Sequence, residues 1–344
     1  MQANQSTGQS TGLTRRAALK LAVGASSLAV SMPFVRTASA ATTWSLYTHQ
    51  SAPQFSTSMG AKQFVDQVEK LTEGELKIRL HLAGTLQIAP TDITQAVAGN
   101  IVQMGDDFFF AGNVPIGGLL RLPFIIQSHE DFLKASPIVV PYVEKAYASK
   151  GVTVLGTYDY PMTYVWSRSK LTSVDELKGI KVRVPSPEVG ALMQNLGATP
   201  VSIAASEVPV ALDRGVVDAV VTGVLGAALW KDLLRYGLLL PTGSINVYYI
   251  ANSVALDGLS PKLREGLRTA VANTMEWNMK TNLEVSSKNQ NDLAASAKMT
   301  ITTPSADQIK VAENASKDIW TKWAAQTGPE AVSALAEVRK VLGR

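Results

Sequence analysis

The chain has 344 residues, 46% of them hydrophobic and 17% charged, with a formal net charge of +4 and no cysteine. This length and apolar content are enough for a large buried core and, on length alone, favour two domains. The absence of cysteine excludes disulfides, iron–sulfur clusters, thiolate zinc sites and cysteine nucleophiles.

The first 40 residues have the pattern of a cleavable export signal. Two adjacent arginines, Arg15 and Arg16, precede an apolar stretch at residues 21–35, and Ala38-Ser39-Ala40 forms a small-residue cleavage site. The apolar stretch is too short to cross a bilayer, and the arginine pair resembles a twin-arginine signal. We therefore expect a periplasmic protein that begins at Ala41 and is exported by the twin-arginine route.

Removal of residues 1–40 changes the charge of the chain. This segment holds four basic residues and no acidic one, so 28 basic residues remain against 28 acidic ones. A chain without net positive charge gives no reason to expect nucleic acid or an anionic membrane surface as its partner.

Strand and helix patterns alternate along the first half of the remaining chain. Period-two segments predict strands, and apolar residues at helical spacing predict helices. Strand patterns occupy residues 43–48, 75–84, 101–110, 151–160 and 163–169, and helix patterns occupy residues 55–72 and 90–100. This alternation is typical of an α/β fold.

The next segment has clear boundary signals. The strand "KVRV", residues 181–184, leads into Ser186 as a helix N-cap, with Pro187 at the first helical position. Gly197 and Gly215 mark the ends of two successive helices. Proteins of the α/β class bind ligands at such strand-to-helix corners, where helix N-termini attract anions.

The last part of the chain is predicted to be helical. Residues 208–230 are apolar enough to suggest a membrane span, but Asp213, Arg214 and Asp218 lie in their middle. These charges favour a buried unit of helix and strand instead. From Leu259 onward the composition is helical, which predicts a long spine helix followed by packing helices.

Residues with catalytic or metal-binding chemistry are scattered. The three histidines, His49, His81 and His129, lack metal-binding spacing, which favours surface or packing roles. The sequence has no nucleophile elbow, phosphate-binding loop or dinucleotide-binding glycine motif. Adjacent strand residues face opposite ways, so we expect Asp106 and Asp107 to be solvated acids rather than a ligand pair.

Arg183 lies inside an otherwise apolar strand, between Val182 and Val184. Alternation sends the arginine and the two valines to opposite faces of the sheet. Three interpretations fit: an exposed arginine on an edge strand, an arginine paired with an acid such as Glu207, or a guanidinium that receives a ligand carboxylate. The residues alone do not decide among them.

The run from Glu176 to Gly223, "ELKGIKVRVPSPEVGALMQNLGATPVSIAASEVPVALDRGVVDAVVTG", resembles a known family signature. It is similar to the central signature of the substrate-binding proteins of tripartite ATP-independent periplasmic (TRAP) transporters, of the dicarboxylate-binding-protein (DctP) type. Matching runs also occur at residues 62–86 and at "RLPFII", residues 121–126. The resemblance therefore covers most of the chain after the export signal.

The resemblance implies an α/β, two-domain periplasmic-binding-protein fold, type II-like and of the TRAP substrate-binding kind, with hinge strands and a long spine helix. We expect one domain to contain residues 41–159 and about 246–285, and the other to contain residues 160–245 and about 286–344. The two domains would close over a small acid like a hinge.

The resemblance also implies that Arg183 bonds the carboxylate of the substrate. This sequence departs from the family at two places: Thr163 stands near the position of a second arginine in some members, and Thr222 stands where an asparagine often assists. Glu207 is a further candidate contact. Fewer polar anchors favour a monocarboxylate with an apolar body over a sugar acid or a dicarboxylate.

Aromatic residues are candidates for the apolar wall of the site. Tyr160 and Trp166 come first because they flank the expected cleft strand. Aromatic side chains also fill protein cores, so each candidate has a packing role as its alternative. An aromatic acid is one ligand that such a wall would suit. The other candidates are Phe108, Phe109, Trp230, Tyr248 and Tyr249.

Three functions are open at this stage. In the first, a non-enzymatic binding protein delivers an organic acid to the small and large TRAP membrane subunits. This protein would need no cofactor or metal, and we expect it to be a monomer, with a dimer as the alternative. In the second, a ligand sensor presents the acid to a membrane receptor. In the third, an enzyme uses Arg183 to orient substrate and Asp218 or Glu207 as base, although a helix first turn favours ionised Glu207.

Overall fold

The computed structural model describes residues 41–295 and 298–344, except for the side chain of Ser206. The predicted export signal, residues 1–40, lies outside the described residues. Within the described residues, nine strands form one mixed sheet. The strands are β1 (Thr42–Thr48), β2 (Leu76–His81), β3 (Met104–Asp107), β4 (Val152–Ser167), β5 (Lys181–Val184), β6 (Thr199–Ser202), β7 (Ala219–Gly223), β8 (Tyr236–Asn252) and β9 (Thr300–Thr302).

Helices connect these strands and form the end of the chain. The helices are α1 (Ser56–Leu71), α2 (Ile93–Ala98), α3 (His129–Ala148), α4 (Pro187–Asn195), α5 (Val208–Asp213), α6 (Val224–Leu229), α7 (Ser253–Asp257), α8 (Pro261–Ala295), α9 (Ala306–Thr327) and α10 (Pro329–Leu342). In the described part of the chain, no helix is both long and apolar enough to span a membrane. Residues 208–230 instead form α5, β7 and α6, as predicted.

The sheet consists of two parallel parts joined by two long antiparallel strands. One part pairs β1 in parallel with β2 and β3, and the other pairs β5 in parallel with β6 and β7. Strands β4 and β8 pair with each other from Val152 opposite Asn252 to Ser167 opposite Tyr236, and they link the two parts. The predicted α/β class is confirmed, and β4 and β8 take the place of the expected crossing strands.

The pairing of β4 with β8 is irregular near Pro161. The register shifts between Tyr160 and Thr163 and again between Thr163 and Val165. A proline is tolerated in a strand at such an irregularity, because its missing N–H removes no ladder hydrogen bond there. The two strands predicted on either side of Pro161 are therefore one strand, β4, and their separation was wrong.

The boundary signals of the second parallel part act as predicted. The Ser186 hydroxyl accepts a hydrogen bond of 3.3 Å from the Val189 amide, and Pro187 is the first residue of α4. Gly197 and Gly215 have φ values of +86° and +68°, in the left-handed region that favours glycine. These glycines end the helices and lead the chain into β6 and β7.

The long spine helix is confirmed as α8, which has 35 residues and packs against α1 and β4. Helix α3 has 20 residues and was not predicted, because Pro137 and Pro141 lie inside it and proline usually ends or kinks a helix. Of the strand predicted at residues 101–110, only β3 forms.

Candidate functional site

A cavity of about 410 Å³ lies at the carboxyl ends of strands from both parallel parts of the sheet. Residues 49–50 follow β1, residues 108–109 follow β3, Ala205 follows β6, and residues 222–223 end β7. Ligands of α/β proteins bind at this edge of a sheet. A groove of about 460 Å³ between α1 and α8 lies away from the strand ends and contains none of the predicted contacts.

Most of the cavity wall is apolar, with contributions from β4, β8, α1, α6 and α8. Among the described residues that line it, none is an aspartate, glutamate, lysine or arginine. Apolar members include Phe55, Phe108, Phe109, Leu229, Trp230 and Ile245. Polar members include His49, Gln50, Ser56, Tyr160, Thr222 and Asn282.

Arg183 lies beside this cavity in β5 and is 9% exposed. Its Nε donates to the carbonyl of Ile203 at 3.1 Å, and one Nη donates to the carbonyl of Val221 at 3.4 Å. Val221 directly precedes Thr222, which lines the cavity. The guanidinium is therefore close to the cavity wall, although Arg183 is not itself among the lining residues.

Two of the three interpretations of Arg183 disagree with the structure. Arg183 is buried, and β5 lies between β6 and β7 rather than at an edge. Among the described residues it forms no salt bridge, and the Glu207 carboxylate instead accepts a hydrogen bond of 3.0 Å from the Ala204 amide. Burial lowers the pKa of Arg183, which reflects the cost of a buried cation without a counter-ion.

Three predicted contacts, Tyr160, Phe108 and Thr222, come together in the cavity wall. The ring of Phe108 stacks on His49, with centroids 4.7 Å apart. The Tyr160 hydroxyl donates to Thr57 Oγ1 at 3.1 Å. Burial raises the pKa of Tyr160 to about 12, so this hydroxyl keeps its hydrogen at neutral pH.

Trp166 and Thr163 lie away from the cavity, contrary to their predicted roles. Trp166 is fully buried and donates its indole N–H to the carbonyl of Thr222 at 3.0 Å. Thr163 is also buried, with its hydroxyl 2.9 Å from that of Thr242. Trp166 therefore does not line the cavity but bonds to the backbone of Thr222, which does. Thr163 links the irregular part of β4 to β8.

The remaining predicted aromatic contacts divide between core and cavity. Tyr248 and Tyr249 are fully buried, and the ring of Tyr248 lies 4.8 Å from that of Phe110. Both tyrosines therefore have the packing role that the sequence analysis gave as the alternative. Phe109 and Trp230 do line the cavity.

Asp106 and Asp107 are buried, so the expectation that they are solvated is wrong. They face opposite ways, as predicted. Asp107 Oδ2 accepts hydrogen bonds of 2.5 Å from Thr94 and 3.1 Å from Tyr147. No group of three or more potential metal ligands occurs in the part of the chain that the structure describes.

The buried Asp107 gives a pH dependence to stability. Burial raises the pKa of Asp107 to about 6, although hydrogen bonds from Thr94 and Tyr147 act in the opposite direction. The unfolded value is about 4, so the folded protein binds this proton more tightly. The free energy of unfolding therefore falls as pH rises from about 4 to about 6, by an amount on the order of 3 kcal/mol from this group.

We expect Asp107→Asn to remove that part of the pH dependence, because an amide does not titrate. Denaturant unfolding at several pH values between 4 and 7 measures the effect. The exposed Asp232→Asn is the matched control and should leave the profile unchanged. An unaltered pH profile in Asp107→Asn would show that Asp107 does not titrate in this window.

His49, Gln50 and Asn282 line the cavity and were not predicted as contacts. His49 and Gln50 directly follow β1, and two polar residues after a strand are a general feature of loops. The available signal was positional, because parallel strands bring their carboxyl ends to one edge of the sheet. Asn282 is contributed by α8, far away in sequence, and its position depends on tertiary packing.

The chain matches the family model described as bacterial extracellular solute-binding protein, family 7 (DctP), over residues 47–327. The C4-dicarboxylate-binding periplasmic protein DctP of Rhodobacter capsulatus is 26% identical over 243 residues, which cover 67% of this chain and 71% of that protein. The 2,3-diketo-L-gulonate-binding periplasmic protein YiaO of Escherichia coli is 28% identical over 215 residues, which cover 61% of this chain and 66% of that protein.

Solved structures have the same fold. DctP6 of Bordetella pertussis, an extracytoplasmic solute receptor binding pyroglutamic acid, has a TM-score of 0.77 and 26% identity, and the match covers 87% of this chain and 100% of that chain. A TRAP periplasmic solute binding protein from Rhodobacter sphaeroides has a TM-score of 0.80 and 19% identity. This match covers 87% of this chain and 99% of that chain.

Proposed function

The chain belongs to the bacterial extracellular solute-binding proteins of family 7, and from this premise we propose that it captures a monocarboxylate with an apolar body and delivers it to TRAP membrane subunits. The predicted family and the two-domain TRAP receptor fold are confirmed by the family match and by the solved receptors. These proteins bind solutes and are not enzymes, so the enzyme alternative is rejected.

The proposal rests mainly on Arg183. Its guanidinium is buried, forms no salt bridge among the described residues, and lies close to the apolar cavity. A buried cation is stabilised when a carboxylate occupies the adjacent space and accepts its remaining N–H groups. The ligand carboxylate would be the missing partner of Arg183.

The cavity wall favours one carboxylate and an apolar body. A dicarboxylate would bring a second negative charge, and the described lining residues include no lysine or arginine to receive it. The phenyl rings of Phe108 and Phe109 and the indole of Trp230 offer apolar surface to the remainder of the ligand. An aromatic monocarboxylate is therefore among the candidates.

The ligands of the relatives agree with a carboxylate anchor. The three proteins are described as binding C4-dicarboxylates, 2,3-diketo-L-gulonate and pyroglutamic acid, all of which carry a carboxylate. Pyroglutamic acid has a single carboxylate on a small ring, and in this respect it resembles the ligand class that we propose.

Ligand capture would use the irregular middle of the crossing strands. We infer that the domains divide near residues 159–160 and 245–246, where β4 shifts its register against β8 around Pro161. Irregular pairing makes a strand easier to bend, so the two parallel parts of the sheet could close on a ligand between them.

The proposed partners are the small and large membrane subunits of a TRAP transporter, and the proposed location is the periplasm. The family and its relatives are extracellular or periplasmic solute-binding proteins. Export by the twin-arginine route and a monomeric state remain proposals. A sensor of the same acid would use the same cavity, but no observation favours it.

Calorimetric titration of the purified protein tests the proposed ligand class. The panel contains monocarboxylates with aliphatic and aromatic bodies and the dicarboxylates of equal carbon number. We expect a monocarboxylate to bind more tightly than its matched dicarboxylate, because the second charge would have no partner in the wall. Tighter binding of the dicarboxylates would contradict the proposal.

A further inference from the structure

A continuous chain of hydrogen bonds connects the buried Asp106 to the cavity wall. The carboxylate of Asp106 is fully buried and accepts hydrogen bonds from the hydroxyls of Thr48 at 2.8 Å and Tyr158 at 3.2 Å. His49 Nδ1 lies 3.2 Å from Asp106 Oδ2. The same nitrogen lies 3.3 Å from the backbone carbonyl oxygen of Asp106. A carbonyl oxygen only accepts hydrogen bonds, so Nδ1 of His49 carries the hydrogen.

The tautomer of His49 determines the orientation of Gln50. When Nδ1 carries the only hydrogen of the ring, Nε2 is an acceptor. Gln50 Nε2 lies 3.0 Å from this nitrogen and 3.0 Å from the hydroxyl oxygen of Tyr160. Tyr160 uses its own hydrogen on Thr57. Both amide hydrogens of Gln50 are therefore used in hydrogen bonds. This assigns the nitrogen of the amide to the side of His49 and Tyr160.

The other end of the amide is an unused acceptor. Gln50 Oε1 makes no hydrogen bond to any of the described residues, and Gln50 lines the cavity. The backbone of Gln50 is fixed by bonds to Thr48 Oγ1 at 3.2 Å and from the Ala83 amide at 2.9 Å. Stacking on Phe108 holds the His49 ring in place. Gln50 thus brings to the cavity wall an amide whose oxygen has no hydrogen-bond partner among the described residues.

We propose that Gln50 Oε1 accepts a hydrogen bond from a hydroxyl or amide N–H of the bound acid, so that the ligand is a donor-bearing monocarboxylate. Gln50 is then a specificity-determining residue, and His49 and Asp106 are positioning residues that act through it. This inference rests on the proposed function. Pyroglutamic acid, the ligand described for the Bordetella receptor, carries both a carboxylate and a lactam N–H.

Matched acid pairs test this inference by calorimetric titration. The pairs are pyroglutamate with 3-oxocyclopentane-1-carboxylate, 2-hydroxy-4-methylpentanoate with 4-methylpentanoate, and 3-phenyllactate with 3-phenylpropanoate. The first pair replaces N–H by CH₂, and the other two replace a hydroxyl by hydrogen. In at least one pair we expect the donor-bearing acid to bind about tenfold more tightly or better.

Two variants separate this inference from the proposed function. Gln50→Met keeps the length of the side chain but removes the acceptor, so the ratio of affinities within the pair should fall to about threefold or less. Arg183→Ala should weaken both members by the same factor and preserve the ratio. Gln194→Met changes an exposed glutamine on α4 and should preserve both affinities and ratio.

The contradicting outcomes are distinct. Equal binding within every pair, or a preference that survives Gln50→Met, overturns the role of Gln50 while leaving the carboxylate anchor intact. Failure of all six acids to bind overturns both proposals. Long-range proton–nitrogen NMR of His49 is an independent check, and we expect hydrogen on Nδ1 alone. Hydrogen on both ring nitrogens would make Nε2 a donor, so the Gln50 amide would have to present its oxygen to His49. That result would overturn the inference.

Discussion

Replacement of Arg183 by alanine should weaken binding of the carboxylate ligand by about thirtyfold to several thousandfold. The guanidinium is buried beside the cavity and forms no salt bridge among the described residues, so the ligand carboxylate would be its counter-ion. Removal of one member of a buried charged pair leaves the other without compensation. Calorimetric titration of the purified variant with the tightest acid of the panel measures the loss.

Two further variants make this result specific. Arg183→Lys keeps the charge but not the planar fork, so it should recover only part of the affinity. Arg79→Ala removes an exposed arginine on β2 and should bind like the unmodified protein. Thermal unfolding of each variant shows whether the fold is retained. Full affinity in a folded Arg183→Ala protein would mean that Arg183 only supports the carbonyls of Ile203 and Val221.

Replacement of Arg121 by alanine should have the largest effect on stability, lowering the free energy of unfolding by about 3 kcal/mol or more. Arg121 donates to Asn246 Oδ1 at 3.2 Å, to the Phe108 carbonyl at 2.7 Å, and to the Asn246 carbonyl. Its guanidinium also lies over the rings of Phe108 and Phe110, 4.9 and 4.3 Å from their centroids. Alanine would remove the Arg121 donors from three partly buried acceptors.

Arg121 keeps its positive charge although it is largely buried. Burial lowers the pKa of Arg121 to about 10, and nearby Tyr248 and Asp107 act in the opposite direction. The guanidinium is therefore protonated at neutral pH. Arg121 joins the end of β3 to β8, and its loss should also loosen Phe108 in the cavity wall.

Denaturant unfolding of Arg121→Ala, Arg121→Met and Arg268→Ala measures these effects. Methionine restores apolar volume without donors, so its destabilisation should be smaller than that of alanine but still clear. Arg268 is exposed on α8, and its alanine variant should unfold like the unmodified protein. Equal stability of Arg121→Ala and Arg268→Ala would show that the Arg121 contacts contribute nothing net.

Most of the fold could be predicted, because local patterns and the global fold agree. Ser186, Gly197 and Gly215 marked the helix ends correctly, because serine caps helix N-termini and glycine adopts the left-handed conformation that ends a helix. The failures have physical causes. Helix α3 contains two prolines that tertiary packing tolerates, and Pro161 suggested a break in a strand that continues through a register shift.

The site could be predicted only in part. Arg183 stood out as a charged residue in an apolar strand, but the residues left its role open, and the carboxylate role was implied only by the family resemblance. Tyr160, Phe108 and Thr222 do line the cavity. Strand periodicity assigns faces but does not say whether a helix covers them, so Trp166 was placed on the wall instead of behind it.

Gln50 gave no sequence signal of its own. Its role depends on a hydrogen-bond chain that joins residues of β1, β3 and β4, and this chain exists only once the strands are assembled. The same is true of Arg121, which belongs to the matching run "RLPFII" but whose acceptors are Phe108, just after β3, and Asn246 on the distant strand β8.

A crystal structure of the purified protein with its tightest-binding acid tests the central claim most directly. We predict that a carboxylate oxygen of the ligand lies about 2.7 to 3.0 Å from a guanidinium nitrogen of Arg183, with the rest of the acid in the apolar cavity. A ligand carboxylate bound elsewhere, with Arg183 still bonded only to the carbonyls of Ile203 and Val221, would contradict the account.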